Sequence, residues 1–298
     1  MASIFRAVDV RNSRPVAIKV PHPEMEADPV LFDRFRREEE IGKALDHPGV
    51  MKVFADEDRS QIYMVMEWVD GRLLRHILGE QKKLPAERAV RIASAICEAL
   101  DYIHSHGVVH RDLKPENIMV DADDRIKLID FGIAGQTGAR RLTFAKLSQV
   151  MGTPDYISPE QVKGKRGDAR TDIYALGIML YEMLTGKTPF QGENPFAIMN
   201  DRLLNNPIPP READPSVSPQ LQEVIYRALE RDPKNRYASA REFLRDLQHL
   251  DQVGVADRPE LRDWRKRRTP WVRQVAFYIM LALIPVVIFG LLLYFARR

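Results

Sequence analysis

Apolar and polar positions alternate over residues 15–20, placing Val16, Ile18 and Val20 on one face of a strand and Ala17 and Lys19 on the other. The first face is expected to be core. The second, with a cation beside a small side chain, is expected to line a cleft. Residues 29–45 are charged and read as a helix, and the apolar run 62–68 reads as a further strand that ends at Asp70-Gly71. Pro85 opens a long helix on which Ala89, Ile92, Ala93, Ile96, Leu100 and Ile103 form one stripe, and Gly107 closes it. Residues 126–129 form a short buried strand. Beyond about residue 155 the pattern is mainly helical, strongly apolar at 172–184 and amphipathic at 220–229 and 240–250. Strands first and helices second predict an α+β architecture, followed at 251–273 by a polar, basic linker.

The apolar pattern changes character at the end of the chain. Residues 275–295 run 21 positions without a charge, a helix of roughly 30 Å, which matches the thickness of a bilayer core. A soluble helix of that length needs a polar stripe, and Pro285 and Gly290 are better tolerated in lipid. A transmembrane helix is therefore expected at 274–296. Arg262, Arg265, Lys266, Arg267, Arg268 and Arg273 precede it, against Arg297 and Arg298 beyond it, so the positive-inside rule orients the preceding domain to the cytoplasm. The N-terminal residues carry charges and lack the apolar core of a signal peptide.

With 298 residues and 45% apolar content the chain can bury a sizeable core, which excludes disorder as its overall state. Cys97 is the single cysteine and is expected to be a buried, inert thiol, as suits a reducing compartment. The net charge of +3 is modest and says nothing about nucleic acid, and no nucleic-acid partner is expected.

The chemistry concentrates in His110-Arg111-Asp112-Leu113-Lys114-Pro115-Glu116-Asn117, followed by Asp130-Phe131-Gly132 directly after a strand. This order of motifs resembles the eukaryotic-type (Hanks-type) serine/threonine protein kinase family in its compact bacterial form, and the resemblance covers about residues 1–250. It implies a bilobal kinase fold with a strand-rich N-lobe at 1–69 and a larger helical C-lobe at 70–250. It also implies ATP as the phosphoryl donor, Mg2+ (or Mn2+) as the metal, and serine or threonine hydroxyls of proteins as acceptors. The bacterial likeness and the terminal span together suggest a plasma or inner membrane.

Phosphoryl transfer asks mainly for placed charge. By the resemblance, Asp112 is the catalytic base, Lys114 neutralises the transferring group, and Asn117 and Asp130 ligate the metal. Lys19 reaches the α- and β-phosphates, with Ala17 packing on adenine. Its partner glutamate lies among Glu38, Glu39 and Glu40, of which Glu38 fits best by its distance from His47-Pro48. Met66 guards the back of the nucleotide pocket, and backbone groups of Glu67, Trp68 and Val69 bond adenine.

Gly152-Thr153-Pro154-Asp155-Tyr156, then Ser158-Pro159-Glu160, is similar to the end of a kinase activation segment. Thr153 is expected beside Asp112 and Lys114, a mark of serine/threonine specificity. Glu160 is expected to pair with Arg236 and Asp172 to hold the catalytic-loop backbone. Arg111, preceding Asp112, implies ordering by activation-loop phosphate, for which Thr143 and Ser148 are the autophosphorylation candidates.

One family element is missing. No GxGxxG precedes Lys19, and residues 1–7 resemble the second strand of the family, so the first strand and the glycine-rich loop are lacking. Either the start was assigned downstream of the true N-terminus, or the protein is short and clamps ATP poorly. An active kinase is the leading reading. The alternative is a membrane-tethered pseudokinase that binds nucleotide or partners, and the peptide-type activation segment disfavours a small-molecule kinase. A homodimer stays open, although no GxxxG motif supports helix pairing.

Overall fold

The N-terminal strands form a four-stranded antiparallel sheet of order β1-β2-β4-β3. Its members are β1 (Ala2–Asp9), β2 (Arg14–Pro21), β3 (Val53–Phe54) and β4 (Met64–Glu67). The computed structural model describes residues 2–54, 61–131, 154–258 and 278–280. Two helices follow β2: a short α1 (Pro23–Ala27), which the sequence pattern did not announce, and α2 (Pro29–Ala44). Asp28 caps α2 by accepting the Val30 and Leu31 N–H groups, with Pro29 pre-set at the first helical position.

The expected division of β2 into a core face and a cleft face holds only in part: Val16 is buried, but so is Ala17 from the other face. Ala17 joins Phe35, Met51, Val53, Met64 and Met66 in a small core, because α2 covers the Ala17 side. On the other face Ile18 is only half-buried, and Phe5, its partner across the β1–β2 ladder, is exposed. A groove of about 700 Å³ opens on that outer face between Val16, Ile18, Phe54, Tyr63 and Val65, and neither Lys19 nor Asp130 lines it. Gly42 lets α2 approach closely, since a Cβ there would sit 2.3 Å from Val53 Cγ2.

A second sheet, β5 (Arg72–Leu73), β6 (Ile118–Val120) and β7 (Ile126–Leu128), runs in that order. The helices of this half are α3 (Leu74–Gln81), α4 (Ala86–Ser105), α5 (Pro159–Val162), α6 (Ala169–Thr185), α7 (Pro195–Leu204), α8 (Pro210–Ala213), α9 (Pro219–Ala228) and α10 (Ala240–Gln248). The α4 stripe is fully buried, as is Cys97, whose thiol is pushed up by that burial. Each large apolar side chain in it contributes about 1.5–3 kcal/mol. Helix α6 is buried continuously from Thr171 to Leu184, which explains its lack of a polar stripe. It ends at Gly186, whose φ of +73° is left-handed and suits a residue without Cβ.

The chain divides into two units, Met1–Ala256 and Asp257–Arg298. In the second unit only 257–258 and the helical, exposed Tyr278, Ile279 and Met280 are described. Among the described residues no helix is long and apolar enough to cross a membrane. Apart from 278–280, the span expected at 274–296 lies outside the described residues, as does the linker from 259 onward.

Candidate active site

Three elements deliver one ion cluster. Lys19 projects from β2, Glu38 from α2, and Asp130 follows β7; Lys19 Nζ lies 2.6 Å from Glu38 Oε1 and 2.8 Å from Asp130 Oδ1. Glu39 instead pairs with Lys43 one turn on, and Glu40 is exposed. Burial pulls the Lys19 ammonium down, but the two carboxylates outweigh it and hold it above its ordinary value. Two acids compete for one ammonium. Burial pushes Glu38 up to about 7, opposed by Lys19 and reinforced by Asp130, whereas Lys19 overrides burial at Asp130 and holds that carboxyl low.

The adjoining loop sets the second cluster. Lys114 Nζ lies 2.7 Å from Asp112 Oδ2. The buried Asn117 donates its amide to the Asp112 carbonyl at 2.8 Å and stands 3.3 Å from Asp112 Oδ2. Asn117 and Asp130 offer an amide oxygen and a carboxylate, the hard donor types that would suit a magnesium-type ion. Among the described residues no group of three or more His, Cys, Asp or Glu gathers as a metal site.

Buried supports hold this loop. Asp172 Oδ1 accepts the Arg111 N–H at 2.8 Å, while Oδ2 accepts the His110 N–H at 2.9 Å and lies 2.8 Å from His104 Nε2. Gln161 Nε2 donates to the Arg111 carbonyl at 2.8 Å. Arg111 (φ +62°) and Asp130 (φ +53°) are left-handed without being glycine, a strained geometry that needs such support. Burial and the neighbouring Arg166 guanidinium hold the Arg111 pKa below its usual value despite Asp172. Glu160 and Arg236 form a buried bidentate pair at 2.8 and 2.7 Å, and Thr171 donates to the same carboxylate at 2.9 Å.

Met66 is buried directly opposite Ala17 in the ladder, in the same small core. The Glu67 N–H donates to the Lys52 carbonyl at 2.9 Å, and its carboxylate lies 2.6 Å from Lys127 Nζ. With that N–H engaged inside the sheet, an adenine contact of the Glu67 backbone would fall to its carbonyl. Thr153, Thr143 and Ser148, with Gly132 and Gly152, lie outside the described residues.

Arg75, His104, Gln161 and Thr171 were not singled out by sequence reading. Ser158 and Gln161 form a capping box, a visible local signal, but the reach of Gln161 to Arg111 is tertiary.

With this geometry in hand, comparison with known proteins is direct: the protein kinase domain family matches residues 1–247. The chain belongs to the protein kinase family. This kinase is 38% identical over 266 residues to the serine/threonine-protein kinase PknB of Mycolicibacterium smegmatis, covering 88% of this chain and 43% of that one. It is 40% identical over 253 residues to a probable serine/threonine-protein kinase of Streptomyces coelicolor, covering 83% and 38%. The chain thus spans under half the length of these curated relatives.

Among solved structures, the kinase domain of Mycobacterium tuberculosis PknI is similar with a TM-score of 0.64 at 28% identity, covering 84% of this chain and 91% of that one. Rad53 in complex with AMP-PNP is similar with a TM-score of 0.66 at 28% identity, covering 82% and 60%. The bilobal kinase fold follows from these matches.

Proposed function

We propose that the chain transfers the γ-phosphoryl group of ATP to serine and threonine hydroxyls of proteins, its own activation loop included, at the cytoplasmic face of a membrane. The observation that carries the reading is the convergence of Lys19, Glu38 and Asp130 from three separate elements beside the Asp112, Lys114 and Asn117 set. Lys19, fixed by Glu38, binds the α- and β-phosphates. Asp112 orients the acceptor hydroxyl and takes its proton, and Lys114, held against Asp112, is placed to balance charge on the transferring group.

Asn117 and Asp130 would hold a divalent cation, Mg2+ by preference, which supplies positive charge to the phosphates when bound. The AMP-PNP complex of the similar Rad53 favours nucleotide binding in this cleft. The uncharged run at 275–295 and the basic cluster before it favour a single-pass anchor. Protein substrates follow from the kinase relatives, and a homodimer stays open.

A second reading is a membrane-tethered pseudokinase, raised by the lack of a GxGxxG before Lys19 among the residues given. The deciding experiment is transfer of labelled phosphate from MgATP to the chain and to a generic basic protein, with Asp112→Ala alongside and flotation on vesicles as the membrane readout. Transfer abolished by Asp112→Ala supports the enzyme. Nucleotide binding without transfer supports the pseudokinase. Failure to float, or flotation undiminished by Val287→Arg, removes the anchor.

A further inference from the structure

The guanidinium of Arg202, on α7, is fully buried, yet among the described residues no carboxylate accepts a hydrogen bond from it. Its Nη1 donates to the Pro154 carbonyl at 2.6 Å and its Nη2 to the Asp155 carbonyl at 2.5 Å, while its Nε is buried without a partner. The fork lies over the buried Phe190 ring, with Cζ 5.5 Å from the ring centroid. A buried cation without an acid is costly, and an apolar side chain of similar volume would avoid that cost. What the charge gains here is a grip on two successive main-chain carbonyls.

Those carbonyls open the turn Pro154–Tyr156. Tyr156 and Ile157 line one cavity together with Asp112 and Lys114, the groups that receive the acceptor hydroxyl. The phenol of this wall is held from elsewhere: the Tyr156 hydroxyl donates to Glu182 and accepts from Arg75, whose Nη1 donates to Glu182 Oε1 at 2.8 Å. The main chain is held by α7. The Ile157 N–H also reaches the Pro154 carbonyl, but at 3.4 Å, longer than the usual range for such a bond. Without Arg202 the wall keeps its phenol anchor and loses the fixed backbone behind it.

We propose that Arg202 is a positioning residue for the protein acceptor: by fixing the main chain at 154–155 it sets the wall of Tyr156 and Ile157 beside Asp112, and so tunes acceptor affinity without a hand in nucleotide binding. The inference rests on the protein kinase reading and deepens it, assigning to α7 a share in acceptor binding. The Lys19, Glu38 and Asp130 cluster lies on other elements and receives no bond from Arg202. The apparent affinity for an acceptor falls by the fraction of time that its wall is in place. Each charge-assisted bond is worth roughly tenfold in that equilibrium. A planar fork serves both carbonyls at once, whereas a lysine ammonium serves one at a time.

The test uses the full chain with Arg202→Met, which nearly keeps the volume and removes both donors, and Arg202→Lys, which keeps the charge. Steady-state transfer from MgATP to a serine peptide is read as separate KM values for peptide and for ATP. Arg202→Met is expected to raise the peptide KM by roughly tenfold or more with the ATP KM within about twofold, and Arg202→Lys to fall between it and wild type. An unchanged peptide KM overturns the proposal, as does an equal rise in both KM values or a fall in kcat alone. If Arg202→Met does not fold, Arg202→Lys decides by the same criteria. Amide hydrogen exchange over 154–162 gives a second readout that needs no transfer. Faster exchange in the variants, confined to that segment, is expected; exchange equal to wild type, or raised throughout the chain, overturns the proposal. Absence of transfer by the wild type sinks the kinase reading alone, and exchange still decides whether Arg202 holds the wall.

Discussion

Asp172 accepts the Arg111 N–H at 2.8 Å from a position on α6 with no solvent exposure, and so pins a left-handed residue one step before Asp112. The same carboxylate meets the His110 N–H and the His104 ring. Asp172→Ala orphans these donors and is expected to cost about 3 kcal/mol or more, with transfer lost. Asp172→Asn keeps an acceptor and should cost less. Thermal melts that leave the alanine variant level with wild type would remove the anchoring role.

Glu38 predicts a pH signature with a definite sign. Its folded-state pKa is raised to about 7 from 4.5, so between those values the native state holds a proton that the unfolded chain has released. Its contribution to stability therefore falls as pH rises from about 4.5 to about 7 and is constant above. Glu38→Gln removes this titration. The variant's Tm relative to wild type should climb across that window and then level off, and a difference independent of pH would contradict the assignment.

Gly42→Ala should act on the active site at a distance. Its Cβ would stand 2.3 Å from Val53 Cγ2, forcing α2 off β3 and Glu38 off Lys19. We expect a loss of about 1–3 kcal/mol and weaker nucleotide binding, both partly restored by Val53→Ala in the same chain. Restoration of stability without restoration of binding would separate the two effects.

The Glu160 and Arg236 pair is buried on both sides, with side-chain exposures of 9% and 0%. Arg236→Ala leaves a carboxylate stranded and should cost about 3–5 kcal/mol. Replacing both partners should cost less than the sum of the single changes, measured by denaturant unfolding as a double-mutant cycle. Strict additivity would mean that the pair is not coupled.

Asp112→Asn is expected to lower transfer by roughly 10²–10⁴, with nucleotide binding kept, because Lys19 and Asp130 are untouched. A matching loss of nucleotide affinity would place Asp112 in binding rather than in chemistry.

Much of this was legible in the chain itself. The stripe of α4 and the Pro85 and Gly107 boundaries have a local cause, the helical period and its caps, and α4 is observed at Ala86–Ser105. The run 172–184 lies within α6, and 15–20 within β2. The spacing of Glu38 from His47-Pro48 singled out the glutamate that the structure places against Lys19. The short strands β3, β5 and β6 escaped, although the equally short β7 was read as an apolar run.

What the sequence by itself determined, then, is the inventory of chemical groups, their order, and the faces that each helix and strand can present, because these depend on backbone period and local caps. Which face is covered was left to the tertiary structure: alternation marked two sides of β2, and only the arrival of α2 made the Ala17 side the core. The meeting of Lys19 with Asp130, 111 residues away, and of Arg75 with Glu182, 107 residues away, has no local signature either. Such charge pairs form where packing brings oppositely charged side chains together out of water, and packing is a property of the whole chain.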